Sequence, residues 1–317
     1  MKQIIKILIS AALIVILCFN IDFAFVIDEI GKMTSSFFIR LMLLYIVIMA
    51  LAIVKWRILL PSVSFVPFIK AYLYGGLFMV ILPGQVFGEA AKIAAFGKYT
   101  KQVDKSISTV LIDKITGILA LLITGLFGLV FSRGEAGGAF ALVFGACMAA
   151  VLAILLLLRF GKVKDALCSI ARLPQKMTPK FEKVSVHAIA LIETWREYLY
   201  MPKTLAKSLL VGLLFNAVTI LQYYFICAEY AIPVGMIDLC WIMAVVSIAQ
   251  ALPVSLAGIG VRDVSLVTMF AYIGVKAESA VLLSMVILIL FIVRALAGAG
   301  CMFFDMLARR GDAHKAQ

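Results

Sequence analysis

Four places in this sequence set charged residues or glycines into apolar stretches, and these are where chemistry could be done. The first reads Pro83-Gly84-Gln85-Val86-Phe87-Gly88-Glu89-Ala90-Ala91-Lys92, and the second Pro253-Val254-Ser255-Leu256-Ala257-Gly258-Ile259-Gly260-Val261-Arg262-Asp263. The other two are the pair Asp113-Lys114 and the lone Arg294. Proline ends a helix because it lacks an amide hydrogen and blocks the preceding turn. Helices should therefore restart near Gln85 and near Arg262, each with unpaired amides and a positive dipole end suited to an anion. Glycine lets backbone approach a ligand closely, and Lys92 or Arg262 would complete a phosphate site. Glu89 with Lys92, and Arg262 with Asp263, could equally be structural ion pairs. Arg294 sits within an apolar run, where an unpaired charge costs at least ~2.5 kcal/mol, so it must face protein or water. Asp113-Lys114 falls early in another run, from which Lys114 could reach the interface. Arg40 reads as an interfacial anchor.

Other chemistries find little material. The histidines are His187 and His314, and six cysteines are scattered singly without a CxxC pair. Neither a disulfide framework nor a metal site is indicated, no nucleotide-binding motif is present, and no cofactor is expected.

The elements that must carry these residues are membrane helices. Apolar residues make up 64% of the 317 and charged residues 15%, too few to cover a soluble domain of this length. Apolar runs long enough to span a bilayer lie near 4–20, 37–55, 107–131, 139–158, 205–228 and 280–304. Lys2 and Lys6 before the first run resemble a secretion signal, but no small-residue cleavage site follows, so it reads as a retained helix. The net charge of +12 lies mostly between the runs, as topology signals and attraction to anionic lipid rather than to nucleic acid.

The interrupted segments, about 68–97 and 239–274, can either cross or turn back. If both cross, the basic loop 160–203 falls outside, against the positive-inside rule. If both are re-entrant hairpins, the outer loops hold Lys32, Arg133 and Lys276 beside Asp22, Asp28, Glu29, Glu135, Glu229, Asp238 and Glu278, and both termini are cytoplasmic. The re-entrant arrangement is preferred, and it brings the two tips together from opposite sides. Both tips share the pattern Pro-x4-Gly-x3-basic, consistent with the inverted repeat of many secondary transporters. The expected fold is a single all-α membrane domain over 1–317 with about six transmembrane helices plus two re-entrant helical hairpins. In the loop 160–203, Ile189, Ile192, Trp195 and Leu199 fall at helical spacing, which reads as an amphipathic helix on the inner leaflet.

The segments around Gly84, Gly88-Glu89-x-x-Lys92, Val110 to Lys114, Leu252 to Asp263 and Arg294-x3-Gly298 resemble the lysylphosphatidylglycerol synthase/flippase-type transmembrane family. The resemblance covers essentially the whole chain. It implies an inner-membrane protein that moves a lipid or lipid-linked headgroup between leaflets. The family often carries arginine where Lys92 and Lys114 stand, which keeps charge but changes phosphate grip. Larger members add a soluble aminoacyl-transferring domain. This chain stops soon after Asp305, so that activity is expected to be absent.

The leading expectation is thus a lipid translocase and not an enzyme, situated in the bacterial cytoplasmic membrane. Membrane lipids with an anionic headgroup are the expected partners, with homo-oligomers left open. Its expected site comprises Gly84, Gly88, Glu89, Lys92, Asp113, Lys114, Gly258, Gly260, Arg262, Asp263 and Arg294. The alternatives are a membrane enzyme acting on lipid phosphates and a small-solute secondary transporter.

Overall fold

The computed structural model of the protein describes residues 23–81, 85–100, 103–132, 137–157, 160, 165–172, 182–251 and 260–315. Among the described residues the only regular structure is helix, joined by short turns and without strands. The helices are α1 (Phe23–Gly31), α2 (Ser35–Arg57), α3 (Phe65–Ile81), α4 (Gln85–Thr100), α5 (Val103–Phe131), α6 (Gly137–Leu157) and α7 (165–172). They continue as α8 (Glu182–Leu199), α9 (Pro202–Glu229), α10 (Met236–Ala251), α11 (Val261–Tyr272) and α12 (Ala277–Lys315).

Four stretches are long and apolar enough to cross a bilayer: Ser35–Arg57, Lys105–Phe131, Pro202–Glu229 and Ala277–Leu307. They match the runs expected at 37–55, 107–131, 205–228 and 280–304, and the run at 139–158 is α6. The run at 4–20 lies outside the described residues, as do the breaks 82–84 and 252–259. Local signals fix several boundaries. Thr34 caps α2 by accepting from the Phe37 amide at 3.2 Å, and Pro202 opens α9 at a position that needs no amide hydrogen.

Helix α5 is the hub, packing on α4, α6, α8, α9 and α10. Glycines make that closeness possible. A methyl on Gly128 would lie 2.7 Å from Cys240 Cβ, and one on Gly125 would lie 2.8 Å from Ala244 Cβ, so α5 and α10 meet nearly backbone to backbone.

Aromatic clusters mark the two ends of the bundle. At one end Trp56 from α2 packs on Phe68 from α3 and Phe96 from α4, with ring centroids 4.9 and 4.6 Å away. At the other, Trp241 of α10 packs on Phe140 of α6 and Tyr272 of α11, at 5.6 and 6.2 Å. The start of α3 and the end of α4 therefore lie together at the Trp56 end. The start of α10 and the end of α11 lie together at the Trp241 end. Each broken segment is a pair of antiparallel helices, the first pair sealed where Gly75 and Gly88 abut.

Helix α8 forms where the amphipathic pattern placed one, but its apolar face is not left to lipid. Trp195, Tyr198 and Leu199 border a small apolar cavity against α5 and α9, and the Tyr198 hydroxyl donates to the Leu59 carbonyl at 2.6 Å. Burial pushes that phenol up to about 12.

Candidate anion-binding site

Helix α5 presents Asp113 to two lysines from different helices. Lys55, near the end of α2, donates to Asp113 Oδ1 at 2.8 Å and also to the Asp113 carbonyl. Lys92, from α4, stands 3.8 Å from Asp113 Oδ2 and 3.7 Å from Glu89 Oε2. Both separations exceed hydrogen-bond length, so Lys92 is held by charge and by ring faces rather than by bonded acceptors. Its ammonium lies 4.5 Å from the Trp56 ring centroid and 5.4 Å from that of Tyr72. Glu89 Oε2, in turn, is buried without a hydrogen-bond partner among the described residues.

Space explains why these groups can sit so. Lys55 threads between glycines: a methyl on Gly212 would lie 3.1 Å from Lys55 Cε, and one on Gly117 would lie 3.5 Å from its Nζ. Beside the lysines opens a cavity of about 280 Å³, lined also by Lys114, Asn216 and Ser247. A smaller cavity of about 80 Å³ shares its Tyr72, Glu89 and Lys92 lining and reaches Arg294. Through this shared wall the two adjoin as a chamber of two compartments. Four cations (Lys55, Lys92, Lys114, Arg294) face two carboxylates (Glu89, Asp113), which leaves it a formal charge of +2.

Arg294 enters this chamber because α3 carries Gly76 opposite it; a methyl there would lie 2.5 Å from Arg294 Nε. The guanidinium touches Met79 Sδ at 3.4 Å and lies near the rings of Tyr72 and Phe291, while its Nε has no hydrogen-bond partner. Weak partners on a half-buried cation whose Nε is shielded from solvent suit it to an anion.

The second broken segment is built the opposite way. Arg262 Nε donates to Ser284 Oγ at 2.7 Å and Nη2 lies 3.4 Å from Asp263 Oδ1. Ser284 also donates to Asp263 Oδ1, and the Gly260 amide donates to Asp263 Oδ2 at 2.8 Å. Gly260 has φ +86°, a conformation that favours glycine, and it lets Asp263 reach back and cap α11. The helix N-terminus that could have taken an outside anion is filled by the protein's own carboxylate. The Arg262 and Asp263 side chains are 4% and 5% exposed, so this is a closed pair whose carboxylate oxygens are both engaged.

The structure thus gathers Gly88, Glu89, Lys92, Asp113, Lys114 and Arg294 around one chamber and sets Gly260, Arg262 and Asp263 apart. Gly84 and Gly258 lie outside the described residues. The two sets nevertheless approach each other: the Arg262 and Arg294 guanidinium carbons lie 5.6 and 5.4 Å from the Phe291 ring centroid, so no more than 11 Å separates them. Sequence reasoning missed Lys55, which ends an apolar run like any boundary lysine, and Ser284, one hydroxyl in a long apolar helix. Only the unusual glycines Gly117 and Gly212 on facing helices hinted at a side chain needing room.

A family model described as the lysylphosphatidylglycerol synthase TM region matches residues 3–298. The UPF0104 membrane protein PH1989 of Pyrococcus horikoshii is 24% identical over 307 residues, covering 90% of this chain and 91% of that protein. No solved structure matches.

Proposed function

The chain belongs to the family of the lysylphosphatidylglycerol synthase TM region, a membrane family with a lipid-related role, and from that premise we propose that it moves an anionic lipid headgroup between leaflets. The observation that carries the reading is the chamber, where Lys92 is buried with no carboxylate oxygen nearer than 3.7 Å, and Arg294 is half-buried with its Nε lacking an acceptor among the described residues, both beside a cavity. Burying cations inside a membrane protein is expensive, and a surplus that its own acids leave unmatched is accounted for by an anionic cargo. The phosphate of a lipid headgroup supplies that charge while its tails stay in hydrocarbon.

In this reading α3–α4 and α10–α11 are re-entrant hairpins related as an inverted repeat, entering from opposite faces. The position of each pair's free ends at a single end of the bundle supports it, as do the facing arginines at Phe291. The Trp56 end, with Arg57, Lys70, Lys98, Lys203 and Lys207 nearby, is cytoplasmic by the positive-inside rule, and so are both termini. The activity is transport in the cytoplasmic membrane, with no bond made or broken. Glu89 rather than Asp263 meets an amine or carries a proton, because both Asp263 oxygens are already engaged.

The test is scrambling of a fluorescent phosphatidylglycerol in proteoliposomes. Wild type should move label from the outer to the inner leaflet and Arg294→Ala should not. A wild-type protein that moves no anionic lipid overturns the reading.

A further inference from the structure

Helix α4 has a second face, turned away from the chamber. There Ala90, Ala91, Ala94 and Ala95 line a groove of about 600 Å³ between α3, α4 and α12. Phe78 and Phe87 border it toward the break, and Met302 and Met306 of α12 form a wall. Exposed positions on other helices carry bulk, such as Leu210, Leu214, Leu296 and Phe304. Ala90-Ala91 and Ala94-Ala95, two alanine pairs one turn apart, keep this face of α4 low enough to leave a channel.

Among the described residues the groove is polar at one end only. Asp305 accepts from Lys70 at 2.5 Å, from the Tyr74 hydroxyl at 2.6 Å and from the Tyr99 hydroxyl at 2.7 Å. Lys98 lies beside them, exposed, and pairs with no acid among the described residues. Among the described side chains, two lysines against one carboxylate leave that end with one positive charge. A long apolar trough ending in a single uncompensated cation has the polarity of an amphiphile with one negative charge.

We propose that this groove holds a hydrocarbon chain of a lipid whose singly charged anionic headgroup rests on Lys98. It is a loading station on the opposite side of α4 from the chamber. The chain gains by leaving its disordered neighbours for a fixed apolar wall, and its head gains the unmatched charge. Only the handover from this station to the chamber rests on the translocase reading; the binding itself does not.

The experiment uses purified full-length protein with a phosphatidylglycerol bearing a photoactivatable group in mid-chain, and maps the adducts by mass spectrometry. Adducts should concentrate on 90–95 and 302–306 and be competed by phosphatidylglycerol more than by phosphatidylcholine. Ala94→Trp, at an exposed position where bulk does not disturb the core, should cut these adducts about ten-fold by displacing several methylenes. Lys98→Glu should abolish the headgroup preference while chain labelling persists. Arg294→Ala should stop transport yet leave groove labelling intact. Labelling in the groove by a protein that moves no lipid supports the station and defeats the translocase reading. Adducts spread evenly to Leu210 and Leu214, or unaffected by Ala94→Trp, would mean boundary lipid only and overturn the station.

Discussion

Lys55 and Asp113, far apart in sequence, are joined by a 2.8 Å ion pair that ties α2 to the hub helix beside the chamber. Lys55 is 7% exposed and Asp113 17%. Removing one partner should leave the other charge stranded. Lys55→Met is expected to lower stability by about 3–4 kcal/mol, the lower part of the range for buried pairs because Asp113 still borders the cavity and keeps Lys92 at 3.8 Å. The double change Lys55→Met with Asp113→Asn should recover much of the loss, since neither residual group then carries charge. Melting temperatures of the three variants in one detergent test this, and an additive double mutant would refute the coupling.

Gly76 and Arg294 offer a separate handle. Gly76→Ala would set a methyl against the guanidinium, which has to swing aside into space it does not now occupy. Transport should fall about ten-fold, as for a loss of ~1.4 kcal/mol of binding, while the melting temperature changes little. A large drop in melting temperature would mean instead that the α3–α12 crossing, not Arg294, was disturbed.

The two arginines near Phe291 should respond differently to the same substitution. Arg262→Lys loses the planar fork that reaches both Ser284 and Asp263, so stability should fall and activity with it. Arg294→Lys keeps charge in a chamber where the guanidinium has no saturating partner, so stability should hold. If a planar cation grips phosphate, transport should fall nearly as far as in Arg294→Ala. Stability and scrambling rates measured together separate the two roles.

How much of this was readable beforehand depends on the kind of signal. Pro83 and the glycines around Gly260 announced where α4 and α11 begin, because both residue types act on the local backbone. The cost of charge in an apolar run required Arg294 to face protein or water, and it lies beside Glu89 and Lys92. The partners did not follow. Lys55 looks like a boundary lysine, and Lys70 and Asp305 meet only because α3 and α12 cross. The pattern Pro-x4-Gly-x3-basic also hid a difference: the first segment leaves its lysine unsaturated, whereas the second spends its arginine on its own capping aspartate. Pattern reports backbone shape; only packing reports whether a charge has been used.

Topology is open to direct labelling. Single cysteines at Lys98 and Lys203 should react with an impermeant thiol reagent only after the cytoplasmic face is exposed. Cysteines at Lys32 and Lys276 should react on intact cells, with the native cysteines replaced beforehand. Reaction of Lys98→Cys from outside would rule out a hairpin that enters from the cytoplasm.

The near-miss of Lys92 from both of its carboxylates also bears on thermodynamics. An ammonium 3.7 and 3.8 Å from its carboxylate neighbours forgoes charge-assisted hydrogen bonds that a phosphate oxygen could supply. The empty protein is then the less stable form, and occupancy and folding are linked. Saturating anionic lipid at a hundred times its dissociation constant would add about 2.7 kcal/mol to unfolding. A zwitterionic lipid of the same chain length would add less, so the melting curve itself becomes an assay that ranks headgroups without any transport being measured.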